Sequence, residues 1–228
     1  MTLSEPFRDD AARAQRPLPV LYSFRRCPYA MRARSALAIS GTPIALREVK
    51  LSAKPADMLA ASPKATVPVL LVPGGFVIDQ SEAIMRWALA RHDPEDWLAR
   101  DDVALIAAND GQFKRHLDRY KYAGRFDTDP LEHRVGGLDF LAELEARLQR
   151  HPYLCGGARG LTDAAIVPFV RQFAGVDPEW FHAQQLPGVR RWLSDYVGSP
   201  LFAAIMLRTA PWQPQDAPLV VDWGGAGS

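Results

Sequence analysis

The sequence contains little cysteine and almost no net charge, and both shortages exclude classes of protein. Its 228 residues include two cysteines, Cys27 and Cys155, too few for a disulfide framework, so a reducing compartment is favoured. The formal net charge of +1 creates no overall field for nucleic acid or for a membrane surface. No apolar run approaches the length of a membrane span. We therefore expect neither a nucleic-acid partner nor a membrane partner.

Signals of several other kinds of site are missing as well. There is no histidine pair at metal-binding spacing, no Ser/His/Asp order and no glycine pattern of a phosphate loop. We therefore expect no metal cofactor. Residues 1–16 are polar and lack the apolar stretch of a secretory signal. Together with the scarcity of cysteine, this favours a cytoplasmic location.

Two kinds of hydrophobic pattern divide the chain. The first half alternates short apolar runs, typical of strands, with helix-forming segments in the order β-α-β-α-β-β-α. The strands are predicted at 18–24, 44–49, 67–72 and 76–78, and the helices at 28–40, 55–61 and 81–91. Beyond these, helical patterns follow at 97–122, 130–150, 161–173, 187–197 and 200–208. The chain is long enough for two domains, each with its own core.

These patterns set the expected domain organisation. Residues 1–17 are predicted to form a flexible lead, and 18–92 an α/β domain. A polar segment with a proline, His92 to Asp96, is predicted to link it to the second domain. An all-helical domain is predicted over 97–228, with a tail rich in proline and glycine. An apolar cluster over 219–223 indicates that part of this tail packs against the protein.

The most informative stretch is the junction between the first strand and the first helix. Cys27 precedes Pro28, and proline is favoured in the first turn of a helix because its missing N–H would be unpaired there. The unpaired N–H groups and the positive end of the helix dipole then point at the Cys27 sulfur. Arginines at 25, 26, 32 and 34 lie nearby. We therefore expect a depressed pKa and a nucleophilic thiolate at Cys27; the alternative is a buried, inert cysteine.

This junction resembles the active-site turn of the thioredoxin superfamily, and in particular the cysteine-type, omega-like glutathione transferases. Three later motifs of the same family follow in order: Leu51 to Pro55, Thr66 to Leu70, and Asp79 to Ile84. The chain departs from related patterns at two positions. Ala30 stands where dithiol glutaredoxins have a second cysteine, and Gln80 stands where the omega class usually has glutamate.

The resemblance implies a fold and a glutathione site. The fold is an α/β thioredoxin-like N-terminal domain followed by an all-α C-terminal helical bundle. Cys27 is the implied catalytic residue, and the implied glutathione-binding residues are Tyr29, Leu51, Lys54, Val67, Pro68, Gln80 and Ser81. A cis bond before Pro68 would expose the Val67 backbone to the cysteinyl part of glutathione. Ser81 and Gln80 would meet the γ-glutamyl carboxylate at a helix start, although Ser81 is equally able to cap that helix. Lys54 would meet the glycyl carboxylate, or else be a solvated surface lysine.

The second substrate is expected between the two halves, against the first long helix of the helical domain. Polar candidates for this cleft are Lys114, His116, Lys121 and Tyr122, and a solvated helix face explains them as well. Phe113, Leu117 and Tyr120 share one helical face and are predicted to be core. Cys155 is predicted to be structural, with a resolving role toward Cys27 as the alternative. Asp163 is predicted to stabilise a helix start in the manner of a capping box, with Gly160 at the cap.

The resemblance and the single active-site thiol together imply an activity. We expect a glutathione-dependent thiol transferase or reductase that passes through a mixed disulfide between Cys27 and glutathione. Its substrates would be disulfides, glutathionyl adducts or dehydroascorbate. One alternative is conjugation of glutathione to small electrophiles; another is a non-catalytic interaction protein with the same fold. The family also implies a homodimer.

Overall fold

The computed structural model describes residues 17–223. The predicted flexible lead, apart from residue 17, lies outside the described residues. The first half contains β1 (Val20–Ser23), α1 (Pro28–Ile39), β2 (Ile44–Glu48), α2 (Ala56–Ala61), β3 (Val69–Val72), β4 (Phe76–Ile78) and α3 (Ser81–Leu89). The predicted order of strands and helices is confirmed, and most elements are one to three residues shorter at their ends than the sequence pattern predicted.

Together with β5 (Leu219–Val221), these strands form a five-stranded sheet of order β4-β3-β1-β2-β5. Strands β1 and β2 are parallel because α1 connects them as a crossover, whereas β3 is antiparallel to β1 and β4 to β3. Helices α1 and α3 cover one face, where Leu21 and Leu70 are fully buried. Helix α2 covers the other face, where Met58 packs against Tyr22. This arrangement places the start of α1 just beyond the carboxyl end of β1, the central strand of the sheet.

The fifth strand comes from the C-terminal tail. Residues Leu219–Val221 form β5, which pairs antiparallel with β2, so the expectation that 97–228 is all helical is wrong in this segment. The edge of β2 offers unpaired backbone groups, and the apolar tail pairs with them. The Trp223 indole N–H donates to the Thr42 carbonyl at 2.8 Å. Earlier in the tail, the Trp212 ring stacks under the Arg47 guanidinium, 4.0 Å from the ring centre. The tail therefore packs against the sheet, as its apolar cluster indicated.

The second half is built from helices. After a 3₁₀ turn (Trp97–Ala99) come α4 (Val103–Ala108), a π-helical turn (Asn109–Phe113), α5 (Lys114–Lys121), α6 (Ala123–Phe126), α7 (Pro130–Leu148), α8 (Leu161–Ala174), α9 (Pro178–Ala183), α10 (Pro187–Val197) and α11 (Pro200–Ile205). Between residues 97 and 210 the described β pairing is one isolated bridge, Tyr153 to Gly156. The predicted fold class, a thioredoxin-like unit followed by a helical bundle, is confirmed. Among residues 17–223, no helix combines the length and the apolarity needed to cross a membrane.

One buried carboxylate joins three parts of the helical half. Asp163, in the first turn of α8, accepts hydrogen bonds from the backbone N–H groups of Gly160 and Leu154, each at 3.0 Å. It also accepts one from the Trp192 indole on α10 at 2.8 Å. Burial raises the pKa of this carboxyl to about 6, against the opposing effect of these three donors. Asp163 thus stabilises the start of α8, as predicted, and also fixes α10 and the preceding loop.

Candidate active site

Cys27 occupies the position predicted from the sequence. It is the N-cap residue of α1, with an extended backbone (φ −73°, ψ 124°) and Pro28 in the first helical turn. Its N–H donates to the Phe24 carbonyl at 3.0 Å, and its own carbonyl accepts from the Met31 N–H at 2.9 Å. The thiol is partly buried, and its sulfur lies 3.8 Å from the carbonyl oxygen of Val67, to which it donates a weak hydrogen bond. The residue is therefore held between the helix start and the loop before β3.

The expected depression of the Cys27 pKa is wrong. Burial raises the pKa of the thiol, because the surrounding protein removes water that would stabilise a thiolate. The N–H groups of Ala30 and Tyr29 at the helix start act in the opposite direction, followed by the charges of Arg34 and Lys114. These groups make the increase in the Cys27 pKa smaller but do not cancel it. At neutral pH the free protein thus holds Cys27 as a thiol, in an environment that still contains four stabilisers of the thiolate.

The arginines near Cys27 are not arranged as a positive cluster around the sulfur. Arg32 is buried, and its guanidinium forms a two-pronged ion pair with Asp110 at 2.8 and 2.6 Å. Its Nε also donates to the Ser81 hydroxyl at 2.9 Å. The charge of Arg32 is therefore compensated by Asp110, and its side chain joins α1 both to α3 and to the π-helical turn of the second half.

Arg34 instead supports the loop that carries Cys27. Its guanidinium donates to the Arg25 carbonyl at 2.7 Å, to the Ser23 hydroxyl, and to the Ile205 carbonyl at the end of α11 at 2.8 Å. Complete burial lowers the pKa of Arg34 to about 10. Since Arg34 also lowers the pKa of Cys27, it both orients the turn and stabilises a thiolate there.

A cavity of about 430 Å³ opens beside Cys27, between the two halves of the protein. The thioredoxin-like half contributes Phe24, Arg26, Cys27, Pro28, Tyr29 and Leu51, and the helical half contributes Lys114, Asp118, Lys121, Tyr122 and Gln172. Three of the four polar residues predicted for the cleft therefore line it. The fourth, His116, does not: its Nδ1 lies 3.1 Å from that of His133 on α7. Phe113, Leu117 and Tyr120 are core residues, as predicted.

The remaining predicted glutathione contacts lie outside this cavity. The Val67–Pro68 bond is cis, as predicted. Gln80 holds the N-cap position of α3 without a side-chain capping bond. Ser81 is therefore in the first helical turn and is not the cap, and its buried hydroxyl accepts from Arg32. Lys54 is partly exposed in the segment before α2. The roles of these residues in binding glutathione stay predictions.

Comparison with known families decides what kind of protein this is. The family model described as the glutathione S-transferase N-terminal domain matches residues 21–96, and the C-terminal-domain model matches residues 95–195. The chain belongs to the glutathione S-transferase family. Together the two matches span both halves of this transferase and the cavity between them. The omega-like subtype is not distinguished by these matches.

Individual relatives of this transferase agree with the family assignment. A 95-residue stretch, 42% of the chain, is 36% identical to the full length of a "probable glutathione transferase" from Aplysia californica. A glutathione transferase family member from Pseudomonas fluorescens, crystallised with two glutathione bound, superposes with a TM-score of 0.72 at 19% identity, covering 87% of this chain and 96% of that one. A Burkholderia graminis glutathione transferase, crystallised with two glutathione molecules per subunit, superposes with a TM-score of 0.69 at 21% identity. The superposition covers 83% of this chain and 87% of that one. At such identities the two structures show the shared fold.

Sequence reasoning missed several residues that shape the site of this transferase. The sequence pattern does not indicate Asp110, which compensates Arg32, and it does not indicate that Asp118 and Gln172 line the cleft. Arg34 was expected to act on Cys27 only by its charge. A signal existed for Arg34: a charged residue in a helix that is mostly apolar must find partners once it is buried. Nothing in the sequence pattern pointed to Asp110.

Proposed function

We propose that this transferase is a glutathione-dependent thiol transferase or reductase that acts through a mixed disulfide between Cys27 and glutathione. The proposal rests on one observation: a single thiol lies at the start of α1 and lines the cavity between the two halves. Ala30 occupies the position from which a second thiol would resolve the intermediate. Cys155 lies in the loop before α8 and borders a different cavity. One thiol at the site favours resolution by glutathione itself.

The proposed reaction has two thiol–disulfide exchanges. Cys27, a thiol in the free protein, first loses its proton to solvent. Its thiolate attacks the glutathionyl sulfur of an adduct, so that a bond forms between Cys27 and glutathione while the adduct's disulfide bond breaks. The leaving thiolate takes up a proton from solvent. A second glutathione, as its thiolate, then attacks the glutathionyl sulfur on Cys27, releasing glutathione disulfide and restoring Cys27. Reduction of dehydroascorbate would draw on the same active-site thiol.

Several features support glutathione as the co-substrate, in addition to the glutathione-bound relatives. The Val67 carbonyl lies next to the Cys27 sulfur, in reach of a peptide N–H on a ligand whose thiol meets Cys27. The start of α3, at Gln80 and Ser81, offers backbone N–H groups to a carboxylate. Lys54 is available for the second carboxylate. We propose the same residues as glutathione ligands, and a homodimer in the cytoplasm as the working form.

Conjugation of glutathione to electrophiles is the second candidate activity. It needs a group that holds the glutathione thiolate, and in tyrosine-type transferases this is a tyrosine hydroxyl. Burial and the nearby Asp110 carboxylate raise the pKa of Tyr29 to about 12, so this tyrosine is poorly suited to that role. The third candidate, a non-catalytic protein with this fold, requires no nucleophile at Cys27.

A paired activity assay tests the proposal. The wild-type protein, Cys27→Ser and Cys155→Ser are compared in reduction of a glutathionyl mixed disulfide and in conjugation of a chloronitrobenzene. We expect reductase activity in the wild type and in Cys155→Ser, and its loss in Cys27→Ser. A serine hydroxyl in Cys27→Ser would retain or reveal weak conjugation. Full reductase activity in Cys27→Ser would exclude the mixed-disulfide mechanism, and activity in conjugation alone would favour the second candidate.

A further inference from the structure

The cavity beside Cys27 carries an excess of positive charge. Three cationic side chains line it, Arg26, Lys114 and Lys121, against one carboxylate, Asp118. Lys114 pairs with Asp118 one helical turn away on α5. Within residues 17–223, neither Arg26 nor Lys121 forms an ion pair with a carboxylate. Two exposed positive charges that line the cavity are therefore not paired with any carboxylate among the described residues.

Both of these cations are placed beside aromatic rings. The Arg26 guanidinium lies 5.7 Å from the centre of the Phe24 ring, and the Lys121 ammonium lies 5.0 Å from that of Tyr122. These contacts orient the side chains while leaving their charge available to a ligand. The aromatic rings and Leu51 provide apolar surface in the same cavity. Such a site complements a molecule with an apolar body and a negative group.

We propose that the second substrate of this transferase is anionic, with its negative group bound by Lys121 and Arg26. This inference rests on the proposed function, since it concerns the thiol that leaves a glutathionyl adduct when Cys27 attacks. In chemical terms, the preferred adducts are mixed disulfides between glutathione and a carboxylate-bearing thiol. Clefts lined by one sign of charge raise the local concentration of the opposite charge and the rate of encounter.

Alkylation of Cys27 tests the charge preference without requiring enzymatic activity. Iodoacetate and iodoacetamide are nearly the same size and differ by one negative charge. In either reaction the Cys27 thiolate forms a bond to the methylene carbon and iodide leaves. We expect the ratio of the iodoacetate rate to the iodoacetamide rate at Cys27 to exceed that of a free small thiol by roughly tenfold at low ionic strength, and to shrink toward it in high salt.

Variants assign this preference to particular residues. Lys121→Gln and Arg26→Gln should each lower the rate ratio at Cys27, and Lys121→Arg should keep it, because it preserves the charge. Arg91→Gln serves as a control, since Arg91 is an exposed cation beside Trp87 in the thioredoxin-like half and does not line the cavity. A ratio at Cys27 equal to that of the free thiol would overturn the proposal, as would a ratio unchanged in both glutamine variants.

Reduction of matched mixed disulfides extends the test to turnover. The substrates pair glutathione with 3-mercaptopropionate, 2-mercaptoethanol or cysteamine, which are similar in size and carry negative, no and positive charge. We expect kcat/KM to fall in that order, with about tenfold between the first and the last, and the spread to narrow in Lys121→Gln. Equal rates for all three would overturn the inference while leaving the proposed function intact. Reduction of none of them, with a charge preference in alkylation, would overturn the proposed function and support a cationic site that binds anionic groups.

Discussion

Replacement of Asp163 by asparagine gives a test of the packing that supports the helical half. In the wild type, one carboxylate oxygen accepts from the Leu154 N–H and the Trp192 indole, and the other accepts from the Gly160 N–H. Asparagine can keep its oxygen on the first pair of donors. Its amide NH₂ group then faces the Gly160 N–H, so one buried donor loses its acceptor, at a cost of about 1–3 kcal/mol.

The pH dependence of stability separates the loss of the Gly160 hydrogen bond from the effect of the Asp163 charge. Burial raises the pKa of Asp163 from 3.8 to about 6. Between these values the folded state binds the proton more tightly than the unfolded chain, so the contribution of Asp163 to stability falls as the pH rises. A shift of about two pKa units corresponds to about 3 kcal/mol. Asparagine does not titrate, so the variant lacks this pH-dependent contribution to stability.

Urea unfolding followed by tryptophan fluorescence measures both effects. We expect the unfolding free energy of the wild type, relative to Asp163→Asn, to fall by about 2 kcal/mol between pH 4 and pH 7, somewhat less than the full value because the unfolded carboxyl is already more than half ionised at pH 4. Asp163→Ala should lose at least about 3 kcal/mol at either pH, because three buried donors are left unpaired. A difference between wild type and Asp163→Asn that stays constant with pH would refute the raised pKa.

Three further predictions concern the site and the tail. Lys114→Met should move the pH midpoint of Cys27 alkylation upward, because the ammonium lowers the thiol pKa; mass spectrometry across a pH series measures it, and an unmoved midpoint would contradict it. Ser81→Ala should weaken glutathione binding about tenfold or more while leaving Cys27 alkylation nearly unchanged; calorimetry showing the same affinity would argue against a ligand role. Trp212→Ala should lower the unfolding free energy by about 1–2 kcal/mol through lost ring and Arg47 contacts, and an unchanged urea midpoint would show that the tail contact is not stabilising.

The parts of the structure that were predictable depend on local sequence. The start of α1 at Pro28, with Cys27 at the cap, follows from the backbone chemistry of two adjacent residues. The alternation of strands and helices follows from hydrophobic periodicity within each segment. The boundary between the two kinds of pattern was visible because strand signals are present up to Ile78 and absent from the helical segments that follow.

The parts that were not predictable depend on contacts between distant residues. The pKa of Cys27 rises because other elements pack around it, and burial cannot be calculated from the turn alone. Arg32 is compensated by Asp110, 78 residues later in the chain. Asp110 lies in a π-helical turn, which adds a residue to the helical repeat and changes the face on which later side chains lie. Strand β5 forms because β2 has a free edge, which only the folded sheet reveals.

The proposed mechanism requires Cys27 to carry glutathione as a covalent intermediate. The most direct measurement is intact and peptide mass spectrometry of the protein after mild treatment with glutathione disulfide, at a pH high enough to ionise a thiol of raised pKa. We expect one glutathionyl group, on Cys27, which persists because Ala30 offers no second thiol and disappears when glutathione is added. An adduct on Cys155 instead, or turnover of a mixed disulfide with Cys27 never modified, would contradict the mechanism.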